Sequence, residues 1–73
     1  RKMAKEIKAK MLSKILEVKV QEGDTVKAKD VLLILESMKM KIPVRTPIEG
    51  VVKSIDVKAG DTVDRNSLLA VVE

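Results

Sequence analysis

The chain is written twice at a constant spacing of 37 residues, and this repeat limits its possible folds more than any other feature. Residues 20–36, VQEGDTVKAKDVLLILE, align without a gap to residues 57–73, VKAGDTVDRNSLLAVVE. Val20/Val57, Gly23/Gly60, Asp24/Asp61, Thr25/Thr62, Val26/Val63, Leu32/Leu69 and Glu36/Glu73 are identical pairs. The same register continues upstream and matches Ile7 with Val44, Met11 with Ile48, Ile15 with Val52 and Val18 with Ile55. Ser13 falls at the place of Gly50. A supersecondary unit repeated in this way is expected to fold the same way in both copies.

That expectation decides a local ambiguity. Met3, Ile7, Met11 and Ile15 form a ladder of fourfold spacing, which taken alone suggests an amphipathic helix. The same stretch also alternates as a strand does, through Ile7, Ala9, Met11 and then Leu16, Val18 and Val20. Its second copy contains Pro43 and Pro47, which an intact helix does not hold in its interior. Both copies are therefore predicted to be extended. Each reads as a strand, a turn, a longer strand, a glycine turn and a final strand. Gly23 and Gly60 supply positive φ at the EGDTV and AGDTV turns, where Asp24 and Asp61 can bond the local backbone. Gly50 is a third expected turn residue. Two short amphipathic halves can cover each other's apolar faces as two small antiparallel sheets, related by an approximate two-fold axis.

Composition removes most catalytic chemistries. A chain of 73 residues bounds one small domain with a thin core. It has no Cys and no His, hence no thiolate metal site, no imidazole base and no Ser-His or Cys-His pair. Its 11 acidic residues are interspersed with lysines, as on a solvated face, so no catalytic or metal-binding residue is nominated. The net charge of +4 is crowded early, at Arg1, Lys2, Lys5, Lys8, Lys10 and Lys14. With no Phe, Tyr or Trp to stack on bases, this segment reads as a solvated surface or the end of a basic linker, and not as a nucleic-acid site. No apolar run is long enough to span a bilayer as a helix.

The two copies join at the sequence ESMKM, residues 36–40. In a two-fold arrangement this join is a hairpin at one end of the molecule, with the chain termini at the other. A two-residue hairpin tip projects a side chain outward on rigid strands, and here that side chain is Lys39. Free lysine has a pKa near 10.4 and is only about a thousandth neutral at pH 7.4. Selective acylation of one lysine thus requires an enzyme that recognises the tip. Met38 and Met40 offer such an enzyme flexible, polarizable contact. The plainer alternative makes Lys39 an ordinary surface residue and the methionines gap fillers over the core.

Glu36, Ser37, Met38, Lys39 and Met40 resemble the biotin-attachment motif of the biotinyl/lipoyl domain family, whose usual form is Glu-(Ala or Ser)-Met-Lys-Met. The resemblance covers nearly the whole chain. Residues 20–26 are similar to the family's first glycine turn, and residues 47–52 to its Pro-x-x-Gly-x-Val segment. Lys39 stands 34 residues before Glu73, a spacing common where such a domain ends a carboxylase subunit. The resemblance implies an all-β fold, a flattened antiparallel barrel or sandwich of two four-stranded sheets with quasi-two-fold symmetry. It implies covalent biotin on Lys39, attached by a biotin protein ligase through biotinyl-adenylate, with Glu36, Ser37, Met38 and Met40 recognised by the ligase or later partners. It also implies a non-catalytic carrier. Carboxyl groups would be loaded at a biotin carboxylase site with ATP and bicarbonate and delivered at a carboxyltransferase site. The parent enzyme would be a carboxylase or decarboxylase, its acceptor left open among acetyl-CoA, propionyl-CoA, pyruvate and other acids. The expected compartment is the cytoplasm, or an organelle matrix where a transit peptide lies upstream, with no nucleic-acid partner and no membrane insertion.

Residues 1–73 are thus expected to be one domain, the C-terminal part of a longer chain, with residues 1–5 ending an upstream linker. The chain departs from the family pattern at Lys10, where many members have proline, and at Ser13, where many have glycine. Residues 20–26 and 57–63 are equal in length, so no thumb insertion is expected. The absence of aromatic residues implies a mobile biotin arm. The nearest rival is a lipoyl carrier domain of a 2-oxo acid dehydrogenase-type complex, although lipoylated relatives usually carry Asp-Lys-Ala at the tip. The remaining alternatives are an unmodified structural or adaptor module of the same fold and a basic nucleic-acid binder.

Overall fold

The computed structural model describes residues 4–73 and contains eight strands. These are β1 (Lys5–Lys8), β2 (Ser13–Val18), β3 (Thr25–Val26), β4 (Val31–Ser37), β5 (Met40–Arg45), β6 (Gly50–Ile55), β7 (Thr62–Val63) and β8 (Leu68–Val72). They form two antiparallel four-stranded sheets, ordered β1-β8-β6-β3 and β5-β4-β2-β7. Advancing every strand by four positions in chain order converts one sheet into the other. The two-fold relation read from the repeat is therefore a property of the topology. The extended reading of the first segment holds for β1 and β2; Met3, the first rung of the helical ladder, lies outside the described residues.

The halves do not each form a sheet, as two stacked copies would. Each sheet draws two strands from either half, and β1 is tied to the far end of the chain through Lys5↔Val72 and Ile7↔Ala70. The glycine turns lock the halves further. Gly23, with φ 93°, donates its N–H to the Val52 carbonyl, and Gly60, with φ 97°, donates to that of Ile15, each at 2.8 Å. Asp24 Oδ2 accepts from the Gln21 N–H at 2.9 Å, and Asp61 Oδ2 from the Lys58 N–H at 3.0 Å. These are turns closed by the residue's own carboxylate. The connections at 19–24 and 56–61 are equal in length, and neither carries a thumb.

Strict alternation fails at the bulges, and there the structure departs from the sequence reading. Between Val31↔Arg45 and Leu33↔Val44 the extra residue is Leu32; between Ile7↔Ala70 and Lys8↔Leu68 it is Leu69. An inserted residue turns the following side chains to the other face, so neighbours such as Leu32 and Leu33 are both fully buried. Leu16 occupies a bulge in β2, between Ile15↔Leu35 and Glu17↔Ile34. It is only half-buried, and the inward residue there is Ile15. Met11, part of the same alternating run, is 46% exposed. Gly50 is not a turn residue but the first residue of β6. Its φ is 154°, and a Cβ there would lie 2.5 Å from the Glu73 carbonyl oxygen. Close backbone approach is what requires glycine at this position.

The core comprises two buried clusters. Ile7, Val26, Leu32, Val52, Ala70 and Val72 form one; Ala9, Ile15, Leu33, Leu35, Val63 and Leu69 form the other. A shift of 37 residues carries all of the first cluster except Ile7 onto members of the second. Aliphatic side chains alone fill both, and no buried side-chain nitrogen or oxygen among the described residues lacks a hydrogen-bond partner. The N-terminal segment expected as linker runs into the fold, because Lys5 opens β1; residues 1–3 lie outside the described residues.

Candidate functional site

Strands β4 and β5 pair from Val31↔Arg45 to Ser37↔Met40 and leave a loop of two residues, Met38 and Lys39. Both have positive φ, 54° and 66°. This is the sign pattern of a type I′ turn, whose twist matches that of the flanking strands and whose usual residues are Asn and Gly. Placing Met and Lys there costs about 1–3 kcal/mol each, so the surrounding structure must impose the turn. It does so from below. β4 is central in its sheet, and its Ser37 side chain is buried, with Oγ donating to the Leu12 carbonyl at 3.0 Å. The hydroxyl thereby fastens the base of the hairpin to the β1–β2 connection.

Above this base, Lys39 is exposed and forms no ion pair with any described carboxylate. Met38 is 90% exposed and Met40 66%. Neither fills a gap in the core, which removes the plainer reading of the two methionines. Glu36 is half-buried, with Lys14 and Lys41 as its cross-strand neighbours on β2 and β5. It forms an ion pair with neither of them. The residues nominated from sequence thus divide. Lys39, Met38 and Met40 are presented to solvent, Glu36 stands at the shoulder, and Ser37 is inside as a positioning residue. Gly23 and Asp24 lie in the connection after β2, bonded to Val52 of β6, and Gly60 and Asp61 lie in the connection after β6, bonded to Ile15 of β2; none of the four belongs to the hairpin.

Sequence reasoning missed Leu12. It is 67% exposed, and its carbonyl holds Ser37, so Met11 and Leu12 adjoin the hairpin base as further exposed apolar surface. The only signal was the pair of departures at Lys10 and Ser13, which marked the connection as unusual without showing where it points. Ser13 itself is buried, with Oγ donating to the Met11 carbonyl at 2.9 Å. No group of three or more His, Cys, Asp or Glu side chains converges among the described residues. No helix of the structure is long and apolar enough to cross a membrane.

Two interleaved four-stranded sheets thus present Lys39, exposed and without an ion pair to any described carboxylate, on a two-residue turn. The chain belongs to the biotin/lipoyl family described as "Biotin-requiring enzyme", whose model matches residues 3–72. It is 43% identical over 70 residues to the biotinylated protein TB7.3 homolog of Mycobacterium leprae, covering 96% of this chain and 99% of that protein. It is 45% identical over 67 residues to pyruvate carboxylase of Staphylococcus aureus, covering 92% of this chain but 6% of the enzyme. It is also 44% identical over 59 residues to the dihydrolipoyllysine-residue acetyltransferase component of pyruvate dehydrogenase complex from Cupriavidus necator, covering 81% of this chain and 11% of that protein. Among solved structures, the urea carboxylase of Kluyveromyces lactis superimposes with a TM-score of 0.91 at 29% identity, over all of this chain and 6% of that one.

Proposed function

We propose that the chain is a biotin carboxyl carrier domain in which Lys39 is the covalent attachment point. The observation that carries this reading is the presentation of Lys39: exposed, free of ion pairs with described carboxylates, and held on a two-residue turn between exposed methionines. An amide bond between the Lys39 ε-amine and a carboxylic acid cofactor suits such a site. A ligase must reach the nitrogen from several sides, remove its proton and exclude water, and an amine on a rigid projecting turn permits that approach. When attached, biotin supplies a ureido nitrogen that takes up and releases a carboxyl group.

The protein's own contribution is mechanical. Lys39 fixes the root of the arm, Ser37 and the β4–β5 ladder keep that root rigid, and Met38 and Met40 give ligase and partner enzymes an apolar hold. Catalysis resides in a biotin carboxylase and a carboxyltransferase, between which the domain moves. Tethering to those enzymes would hold the domain at an effective concentration on the order of mM at both sites.

A second reading has a specific observation behind it. The match to the lipoyl-bearing acetyltransferase component is nearly as high in identity as the match to pyruvate carboxylase, so a lipoyl group on Lys39 is the rival. Met38 and Met40 weigh toward biotin, because lipoylated relatives usually carry Asp and Ala in those places. Presenting the protein to biotin ligase and to lipoyl ligase in parallel and measuring intact mass separates the two. A single biotinyl addition that is lost in Lys39→Arg supports the proposal, and exclusive lipoyl addition transfers Lys39 to the rival.

A further inference from the structure

Methionine is the sulfur-bearing residue of this chain, at four positions, and Cys, His, Phe, Tyr and Trp are absent. Thioethers are therefore its most readily oxidised side chains. Of the three within the described residues, Met38 is 90% exposed, Met40 66% and Met11 46%. None belongs to either core cluster. Oxygen added at Met38 or Met40 would disturb no packing. It would change only the surface beside Lys39, turning a flexible apolar contact into a polar, chiral one.

We infer that Met38 and Met40 form a reversible oxidation site that controls whether Lys39 is accepted by its modifying enzyme. The inference rests on the biotin-carrier reading and names a regulation of that same site. The oxidant is a hydroperoxide. Its O–O bond breaks as one oxygen bonds to the thioether sulfur, the sulfur is oxidised by two electrons, and the peroxide leaves as water or an alcohol. In the reverse direction a thiol-dependent sulfoxide reductase removes the oxygen as water while two thiols become a disulfide. Met38, within the two-residue loop, is oxidised ahead of Met40, following the order of exposure. Because the core is untouched, the oxidised protein stays folded. This separates a local control from general damage.

The test uses Met3→Leu/Met11→Leu protein, so that sulfur remains only at Met38 and Met40. One portion is treated with hydrogen peroxide, and the peroxide is then destroyed with catalase. The initial rate of biotin attachment by a biotin ligase is compared with that of an untreated portion, while peptide mass spectrometry counts the sulfoxides. Loss of one methylene's worth of apolar contact corresponds to about fourfold in binding, so the treated protein is expected at about a quarter of the untreated rate or less. Its thermal midpoint stays unchanged, and the rate recovers after reduction by sulfoxide reductases specific for each epimer. A variant carrying Met38→Leu/Met40→Leu as well is compared with its own untreated portion and shows no loss. Unchanged attachment despite both sulfoxides overturns the inference, as does an equal loss in the variant lacking Met38 and Met40. Failure of the untreated protein to accept any biotin removes the carrier reading itself, and the inference with it.

Discussion

At the scale of single residues, the proposed attachment point stands on a two-residue tip that Ser37 anchors from below. Its hydroxyl spans the gap between β4 and the β1–β2 connection, and its removal leaves the Leu12 carbonyl short of a partner. Ser37→Ala is expected to cost about 1 kcal/mol, which lowers the thermal midpoint by roughly 4–8 °C for a domain of this size. It should also slow modification of Lys39 while leaving the amine in place, because the root of the hairpin loosens; calorimetry and a ligase time course check the two effects. Gly50 is less forgiving. An added Cβ would meet the Glu73 carbonyl oxygen at 2.5 Å on a backbone with φ 154°, so Gly50→Ala should cost about 2 kcal/mol or more, read as a fall in midpoint. Neither role was legible in the sequence. A serine before a Met-Lys-Met tip reads as part of a recognition motif, and its burial depends on Leu12, 25 residues away.

At the scale of elements, the repeat supplies its own controls. Lys29 and Asn66 stand at equivalent turns with nearly equal positive φ, 75° and 72°, and asparagine tolerates that region better than lysine. Copying the second half into the first, Lys29→Asn is expected to stabilise the domain by about 0.5–1 kcal/mol, measured by chemical denaturation. The existence of three longer strands in each half was legible because the repeat had to be extended twice. The glycine turns were legible because Gly-Asp at equal spacing left little else for them to be. Bulges were not, since alternation shows which residues are apolar but not where Leu32, Leu69 or Leu16 is inserted. The two-residue strands β3 and β7 were hidden for a related reason: each is defined by its partner on the other half and not by a pattern of its own.

For the whole molecule, interleaving makes the two halves a single cooperative unit. The first half on its own would keep β2 paired with β4, yet lose β5 from the β4 edge and the partners of β1, β3 and its glycine turn. Peptides 1–36 and 37–73 are each expected to lack sheet by circular dichroism, while the intact domain unfolds in one transition with heat or urea. Independent folding of either half would contradict the interleaved topology. The shared core also explains why one end can carry a strained turn: the two clusters, images of each other, secure the strands that the turn joins. The most direct measurement is a peptide map of the domain after biotin attachment by a biotin ligase, locating the label among the chain's twelve lysines. The account predicts all of it on Lys39, although eleven other lysines are present. Label spread over other lysines, or placed on Lys41 at the shoulder of the same hairpin, would contradict it.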